Sequence, residues 1–195
     1  MKIALLALFF LLFTFTKAEY IYDTDGERLS EAHSNYIFVG AEPIGASEFT
    51  LPDTGNENCP LPLMASPPLP SIPPAIPVKF SNHLLYPFAT TETPLNLTFV
   101  NVPRCSKTSQ WFVAVHIPDI LNLLFGDAYV RGYFCIKKHG DKTYKIIYCS
   151  RDVAQSHCGH VAYADNDLNL VVKFGSDDAL VVTFHKVKSG ISMVV

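Results

Sequence analysis

Charge is scarce in this sequence. Asp, Glu, Lys and Arg make up 17% of the 195 residues, and the 15 basic ones are scattered rather than striped. Nucleic-acid surfaces need clustered Lys and Arg, so that class of partner is excluded. Helical periodicity is nearly missing: Ile117 to Phe125 is the one stretch that could pass for a helix, and it is short. Beyond the first residues there is no apolar run long enough to cross a bilayer, so no membrane span is expected in the body of the chain. No phosphate-cradling glycine loop, nucleophile–base motif or complete metal-ligand set can be found, which argues against an enzyme and against any cofactor.

What is there begins with a leader. Lys2 gives a positive start, Ile3 to Phe15 is almost wholly apolar, and Thr16-Lys17-Ala18 places small residues at the spacing of a cleavage site. The expectation is a secretory signal peptide over 1–18 and one domain over 19–195, with an anchored N-terminal helix as the alternative. The mature protein is then exported, to the extracellular space or onward to a vacuole, with a net charge more negative than the −3 of the whole chain.

Five cysteines remain: Cys59, Cys105, Cys135, Cys149 and Cys158. An oxidising route favours disulfides, and an odd count leaves at least one thiol over. Fifteen pairings would make two bridges, and arithmetic does not choose among them.

The body reads as about a dozen short β runs separated by Gly, Pro, Asn and Asp. The clear ones are Tyr36–Val39, Val78–Phe80, Leu95–Val100, Trp111–His116, Gly132–Lys137, Thr143–Cys149, Leu168–Phe174 and Leu180–His185. Weaker runs lie at Tyr20–Tyr22, Phe49–Leu51, Leu61–Met64 and His160–Tyr163. The fold class is all-β, a barrel or a sandwich. Met64 to Pro77 carries Pro67, Pro68, Pro70, Pro73, Pro74 and Pro77, which reads as a stiff surface connection because proline cannot donate to a sheet.

Four local features invite sharper readings. Asn96-Leu97-Thr98 is a glycosylation acceptor, and the alternation of Leu95, Leu97 and Phe99 puts Asn96 on the outer face. His157-Cys158-Gly159-His160 resembles a metal cluster, but if Cys158 is in a disulfide its sulfur is unavailable, and two histidines without a third ligand bind weakly, so no metal is expected. The pairs Asp23/Asp25 and Asp165/Asp167 sit in turn-rich stretches, where side-chain-to-backbone bonds explain them better than acid–base chemistry. Finally, Ser81-Asn82-His83-Leu84-Leu85-Tyr86-Pro87-Phe88 carries no acidic or basic charge, lies between two strand runs and ends in an X-Pro-aromatic step. An apolar segment carrying Pro and Asn suggests an exposed turn presented to a partner.

Several stretches together resemble the plant Kunitz (soybean trypsin inhibitor) family. They are Ile21-Tyr22-Asp23-Thr24-Asp25-Gly26-Glu27-Arg28-Leu29 with Tyr36-Ile37, then Thr54-Gly55-Asn56-Glu57-Asn58-Cys59-Pro60-Leu61, the Trp111 strand after Cys105, Tyr144-Lys145-Ile146-Ile147-Tyr148-Cys149, and Leu180-Val181-Val182-Thr183-Phe184-His185-Lys186-Val187. The resemblance implies a β-trefoil of twelve strands in three pseudo-repeats, a monomer, and a role in plant defence as a serine protease inhibitor. It implies disulfides Cys59–Cys105 and Cys149–Cys158, each contributing about 3 to 4 kcal/mol on a chain-entropy view, with Cys135 unpaired. A Cys135–Cys149 bridge is the rival. With a Gly140-Asp141 turn those two residues fall on opposite faces of the hairpin, which disfavours it. The lone Trp111 reads as core, and the repeated Gln-x-Trp motifs of a sugar-binding trefoil are absent.

The family's inhibitory loop lies between its fourth and fifth strands. Counting back from Pro94, it maps onto His83, Leu84, Leu85, Tyr86 and Pro87, with Leu85 before the scissile bond and Tyr86 after it. Leu84 or His83 takes the first place if the gap is set differently. No basic residue lies between Lys79 and Arg104, so chymotrypsin-, elastase- or subtilisin-like proteases suit this loop better than trypsin. The family's loop-supporting Asn aligns with Glu31, its Gly-Gly with Ala32-His33, and the first Tyr of its aromatic pair with Asn35. A non-inhibitory binding or storage protein on the same fold is the alternative.

Overall fold

The computed structural model describes residues 18–31, 35–42, 47–52, 59–67, 74–82, 87–91, 93–100, 110–117, 120–126, 132–151, 158–164 and 168–187. Among them the regular secondary structure is entirely β. In chain order the strands are β1 (Tyr36–Glu42), β2 (Ser47–Thr50), β3 (Leu61–Pro62), β4 (Met64–Ser66), β5 (Val78–Asn82), β6 (Leu95–Phe99) and β7 (Trp111–Ile117). Then come β8 (Ile120–Phe125), β9 (Gly132–Gly140), β10 (Thr143–Ser150), β11 (Cys158–Tyr163), β12 (Leu170–Lys173) and β13 (Val181–Lys186).

Six of these close a ring. β1 pairs with β5, β5 with β6, β6 with β9, β9 with β10, β10 with β13, and β13 returns to β1. Closure leaves those strands no free edge. The rest extend the sheet: β2 joins β1 and carries β4, while β11 joins β10 and leads through β12 to β8, which β3 and β7 flank. All the pairs are antiparallel, so strands consecutive in the chain, such as β9 and β10, can be joined by a tight turn, while β1 and β13 meet from opposite ends of the domain.

One ambiguity is resolved and two sequence expectations are corrected. In the stretch that could pass for a helix, Ile117 ends β7 and Ile120–Phe125 forms β8, in a register that sets Trp111 opposite Phe125. Leu61–Met64 is two strands rather than one. The chain changes partners at Leu63, whose N–H donates to Leu123 and whose carbonyl accepts from Leu170, so β3 lies on β8 and β4 on β2. The proline-dense connection therefore begins after β4. Tyr20–Tyr22 forms isolated bridges to Thr90 and Arg28 instead of a strand.

The core follows from the alternation. In β6, Leu95, Leu97 and Phe99 are buried while Asn96 and Thr98 face out, as the two-residue period requires. At the centre lies Trp111, fully buried, with the rings of Phe38, Phe49, Phe99 and Phe134 at 5.7, 5.8, 5.2 and 6.1 Å. Edge-to-face and offset pairs of this kind add to the large apolar area each ring removes from water.

Candidate functional site: a tethered loop

The site is the opening between β5 and β6. His83, Leu84, Leu85 and Tyr86 lie outside the described residues, so the structure speaks through the two ends of the segment. On the near side β5 runs to Asn82, which is buried. On the far side Pro87 is exposed, Phe88 is half-buried and Ala89 is buried.

Both ends are fastened to one residue. The Glu31 backbone N–H donates to the Pro87 carbonyl at 3.0 Å, and Glu31 Oε1 accepts the Asn82 N–H at 3.0 Å. The departing limb is then stitched down. Ala89 N–H donates to Leu29 at 3.0 Å, Ile21 N–H donates to Ala89 at 3.2 Å, and Leu29 N–H donates to Ile21 at 2.9 Å. Ser30 bridges Phe88. Ile21, Leu29 and Ala89 point inward and are fully buried, so apolar packing locks what the hydrogen bonds align.

Glu31 is itself supported from the core. The Ser30 N–H, one residue before it, donates to the Tyr36 hydroxyl at 3.0 Å. Tyr36 is buried and stacks on Phe80 with ring centroids 5.6 Å apart. The second aromatic of the sequence signature thus anchors the tether, while Asn35 contributes its carbonyl to the Val187 N–H. Upstream, Asp23 closes a tight turn: its Oδ1 accepts the Glu27 N–H at 2.8 Å. Gly26 sits there at φ 86°, a conformation glycine adopts without steric cost. Asp23 is therefore a turn former.

Glu31 is the residue that sequence reasoning passed over, since alignment marks it only as a departure. The signal lay in its chemistry: accepting a backbone N–H needs only an acceptor oxygen, and a carboxylate supplies one as well as an amide does.

The cysteines divide cleanly where they are described. Cys149 and Cys158 lie directly opposite each other in the β10–β11 ladder and are bonded, with Cα atoms 4.1 Å apart. Cys59 is in a disulfide, and Cys105 lies outside the described residues. Cys135 is a free thiol, and burial pushes it above the ordinary thiol range against a smaller opposing pull from Lys137.

The expected faces of this hairpin need correction. Its turn residues are Asp141 and Lys142, with Thr143 opposite Gly140, and the register then slips so that Tyr144 faces Lys138. That bulge leaves Cys149 opposite Tyr133 and Cys135 opposite Ile147. Cys135 and Cys149 therefore share a face, and it is the cross-strand partner Cys158 that occupies the Cys149 sulfur.

Elsewhere the candidate chemistry is placed as follows. Cys158 is committed to its disulfide, and His157 lies outside the described residues, as do Asp165 and Asp167. His160 Nδ1 is buried without a hydrogen-bond partner. Among the described residues no group of three His, Cys, Asp or Glu is placed to hold a metal ion, and no helix is long and apolar enough to cross a membrane. Asn96 faces outward beside Ser81, next to the near end of the loop.

Comparison with known proteins places this architecture. Kunitz trypsin inhibitor 4 of Arabidopsis thaliana is 25% identical over 179 residues, which cover 85% of this chain and 81% of that protein. MP-4 from Mucuna pruriens superposes with a TM-score of 0.70 at 26% identity, over 88% of this chain and 100% of its own. Soybean trypsin inhibitor, in its complex with porcine pancreatic trypsin, gives a TM-score of 0.68 at 22% identity, over 87% of this chain and 100% of that one, a likeness of fold. The profile of the legume Kunitz family, described as trypsin and protease inhibitor, matches residues 21–186. The chain belongs to the legume Kunitz family of trypsin and protease inhibitors.

Proposed function

We propose that this protein is a secreted Kunitz-type endopeptidase inhibitor whose substrate-like loop, His83 to Pro87, enters the cleft of a serine protease with Leu85 before the scissile bond. The observation that carries this reading is the double tether, with Asn82 and Pro87 both bonded to Glu31. A loop whose ends are fixed in advance loses little conformational freedom on docking, so more of the contact energy appears as affinity. A segment shaped like a substrate but held at both ends also keeps its cleaved halves together, which favours resealing over release.

The target class follows from charge. With no basic residue between Lys79 and Arg104, the loop offers nothing to the buried carboxylate of a trypsin pocket. Leu or Tyr suits the apolar pockets of chymotrypsin-, elastase- and subtilisin-like enzymes. The partner is thus an extracellular or vacuolar protease, met after removal of residues 1–18, with Asn96 as the glycan acceptor. We read the six-strand ring and its flanking strands as the family's β-trefoil. The role is inhibitory rather than catalytic.

Substrate-competition assays with chymotrypsin, elastase and subtilisin, with trypsin as the control, test this. Saturable inhibition by the first group, with slow cleavage mapping to the Leu85–Tyr86 bond, is the expected result. Absence of inhibition in all of them refutes the assignment and leaves a binding or storage protein.

A further inference from the structure

We propose that Tyr20, Arg28 and Phe88 form a second contact for the bound protease, with Arg28 taking up a carboxylate on the rim of the enzyme's cleft. The inference rests on the inhibitory reading above and adds a specificity residue outside the loop.

The three side chains meet because of the stitching that holds the loop's far limb. Ile21, Leu29 and Ala89 turn inward, so their neighbours Tyr20, Arg28 and Phe88 turn outward by the two-residue alternation. The Arg28 guanidinium lies over the Tyr20 ring, 4.1 Å from its centre, and 5.7 Å from that of Phe88. The two rings meet edge to face at 6.2 Å. Tyr20 is 42% exposed, one of two large hydrophobics left so open among the described residues.

Arg28 holds an unspent charge. Among the described residues it has no ion pair, and two acids of the same segment are paired with other cations: Glu19 with Lys138 at 2.7 Å and Glu27 with Lys186 at 2.5 Å. Stacking on the rings fixes the guanidinium plane while leaving its N–H edge free, so little rotamer entropy remains to be lost when a carboxylate arrives. Tyr and Arg in such a setting are the residue types that dominate interface energetics.

Continuity with the loop names the occupant. Phe88 follows Pro87 directly, and Pro87 is tethered at the loop's far end. This cluster therefore lies on the C-terminal side of the scissile bond, where the enzyme's leaving-group side rims the cleft. A fixed cation there selects for proteases with an acidic residue on that rim, acting mainly on association.

The test uses the full mature inhibitor and whichever of chymotrypsin, elastase and subtilisin it inhibits most tightly. Inhibition and association constants are compared for wild type, Arg28→Glu and Arg28→Lys at about 50 mM and about 500 mM NaCl, where screening differs strongly. The expected result is an inhibition constant raised about tenfold in Arg28→Glu at low salt, chiefly through slower association. The gap closes at high salt, Arg28→Lys stays near wild type, and thermal unfolding is the same for all three. Equal constants for wild type and Arg28→Glu overturn the proposal, as does a salt-independent loss shared by Arg28→Lys. If wild type inhibits none of the enzymes, the inhibitory reading itself falls and this contact with it.

Discussion

The carboxylate of Glu31 reaches the backbone of Asn82, accepting its N–H at 3.0 Å at the point where β5 ends. The same residue binds the Pro87 carbonyl through its own N–H. One residue thus closes the mouth of the loop from both sides, and its neighbour Ser30 is held by the buried Tyr36 hydroxyl. The two residues that flank the loop, Asn82 and Pro87, are in this way held from the core.

Truncating that side chain tests the tether. Glu31→Ala removes the hydrogen bond from the Asn82 N–H to a charged acceptor, an interaction worth about 1.5 to 3 kcal/mol. Glu31→Gln keeps an acceptor oxygen and should retain most of the stability. Expected outcomes are a lower unfolding midpoint, faster cleavage of the loop and inhibition weakened about tenfold in the alanine variant, since 1.4 kcal/mol is a factor of ten. Alanine and glutamine variants that both match wild type in unfolding and cleavage would exclude the clamp.

Much of this was legible beforehand, and the exceptions share a cause. The alternation of Leu95, Leu97 and Phe99 announced β6 and its outward Asn96, because a half-buried strand imposes that pattern locally. Ile117–Phe125 was ambiguous because a short apolar run fits a helix or a strand, and only pairing with β7 and β12 decides. The faces of Cys135 and Cys149 depended on a one-residue slip after Thr143, which propensity does not encode. The role of Glu31 depended on two chain segments distant in sequence meeting at its side chain. Local patterns wrote the elements; registers and tethers came from tertiary contact.

Loop chemistry gives the second prediction. Replacing Leu85 by Arg supplies the cation that a trypsin pocket pairs with its buried carboxylate, so Leu85→Arg should gain trypsin inhibition by about 100-fold and lose it toward chymotrypsin. Titration of both enzymes with the variant checks this. Should Leu84→Arg make the switch while Leu85→Arg does not, the scissile bond lies one residue earlier.

The cysteines give a third. Native protein should carry a single slowly alkylated thiol, Cys135, reacting at an alkaline pH because burial raises its pKa. The sign for stability follows: the folded state holds this proton more tightly than the unfolded chain. Its contribution is complete below the ordinary thiol range and is lost as pH rises toward the folded value. Cys135→Ala should flatten the alkaline limb of a stability–pH curve. Replacing Cys149 and Cys158 together by Ser should cost about 3 kcal/mol, from the short loop that the bridge closes. Iodoacetamide labelling with intact mass, and urea unfolding, measure the two effects; rapid labelling at neutral pH contradicts the buried thiol.

The last prediction concerns His160, on β11 opposite Ile147 and Lys173. Burial holds its pKa below the ordinary histidine value, and the charges of Lys145 and Lys137 push the same way against a weaker pull from Asp177. The folded ring therefore stays neutral at pH values where the ring of the unfolded chain has already taken a proton. Its stabilising contribution is present above the ordinary histidine pKa, about 6.5, and is lost as pH falls through the depressed folded value. His160→Gln removes the titration and should shallow the acid limb of the stability–pH curve, whatever it does to stability at neutral pH. Proton NMR of the imidazole resonances gives the direct reading. A His160 midpoint at or above that of a free histidine, or an acid limb unchanged in the variant, contradicts the burial of the neutral ring between β10 and β12.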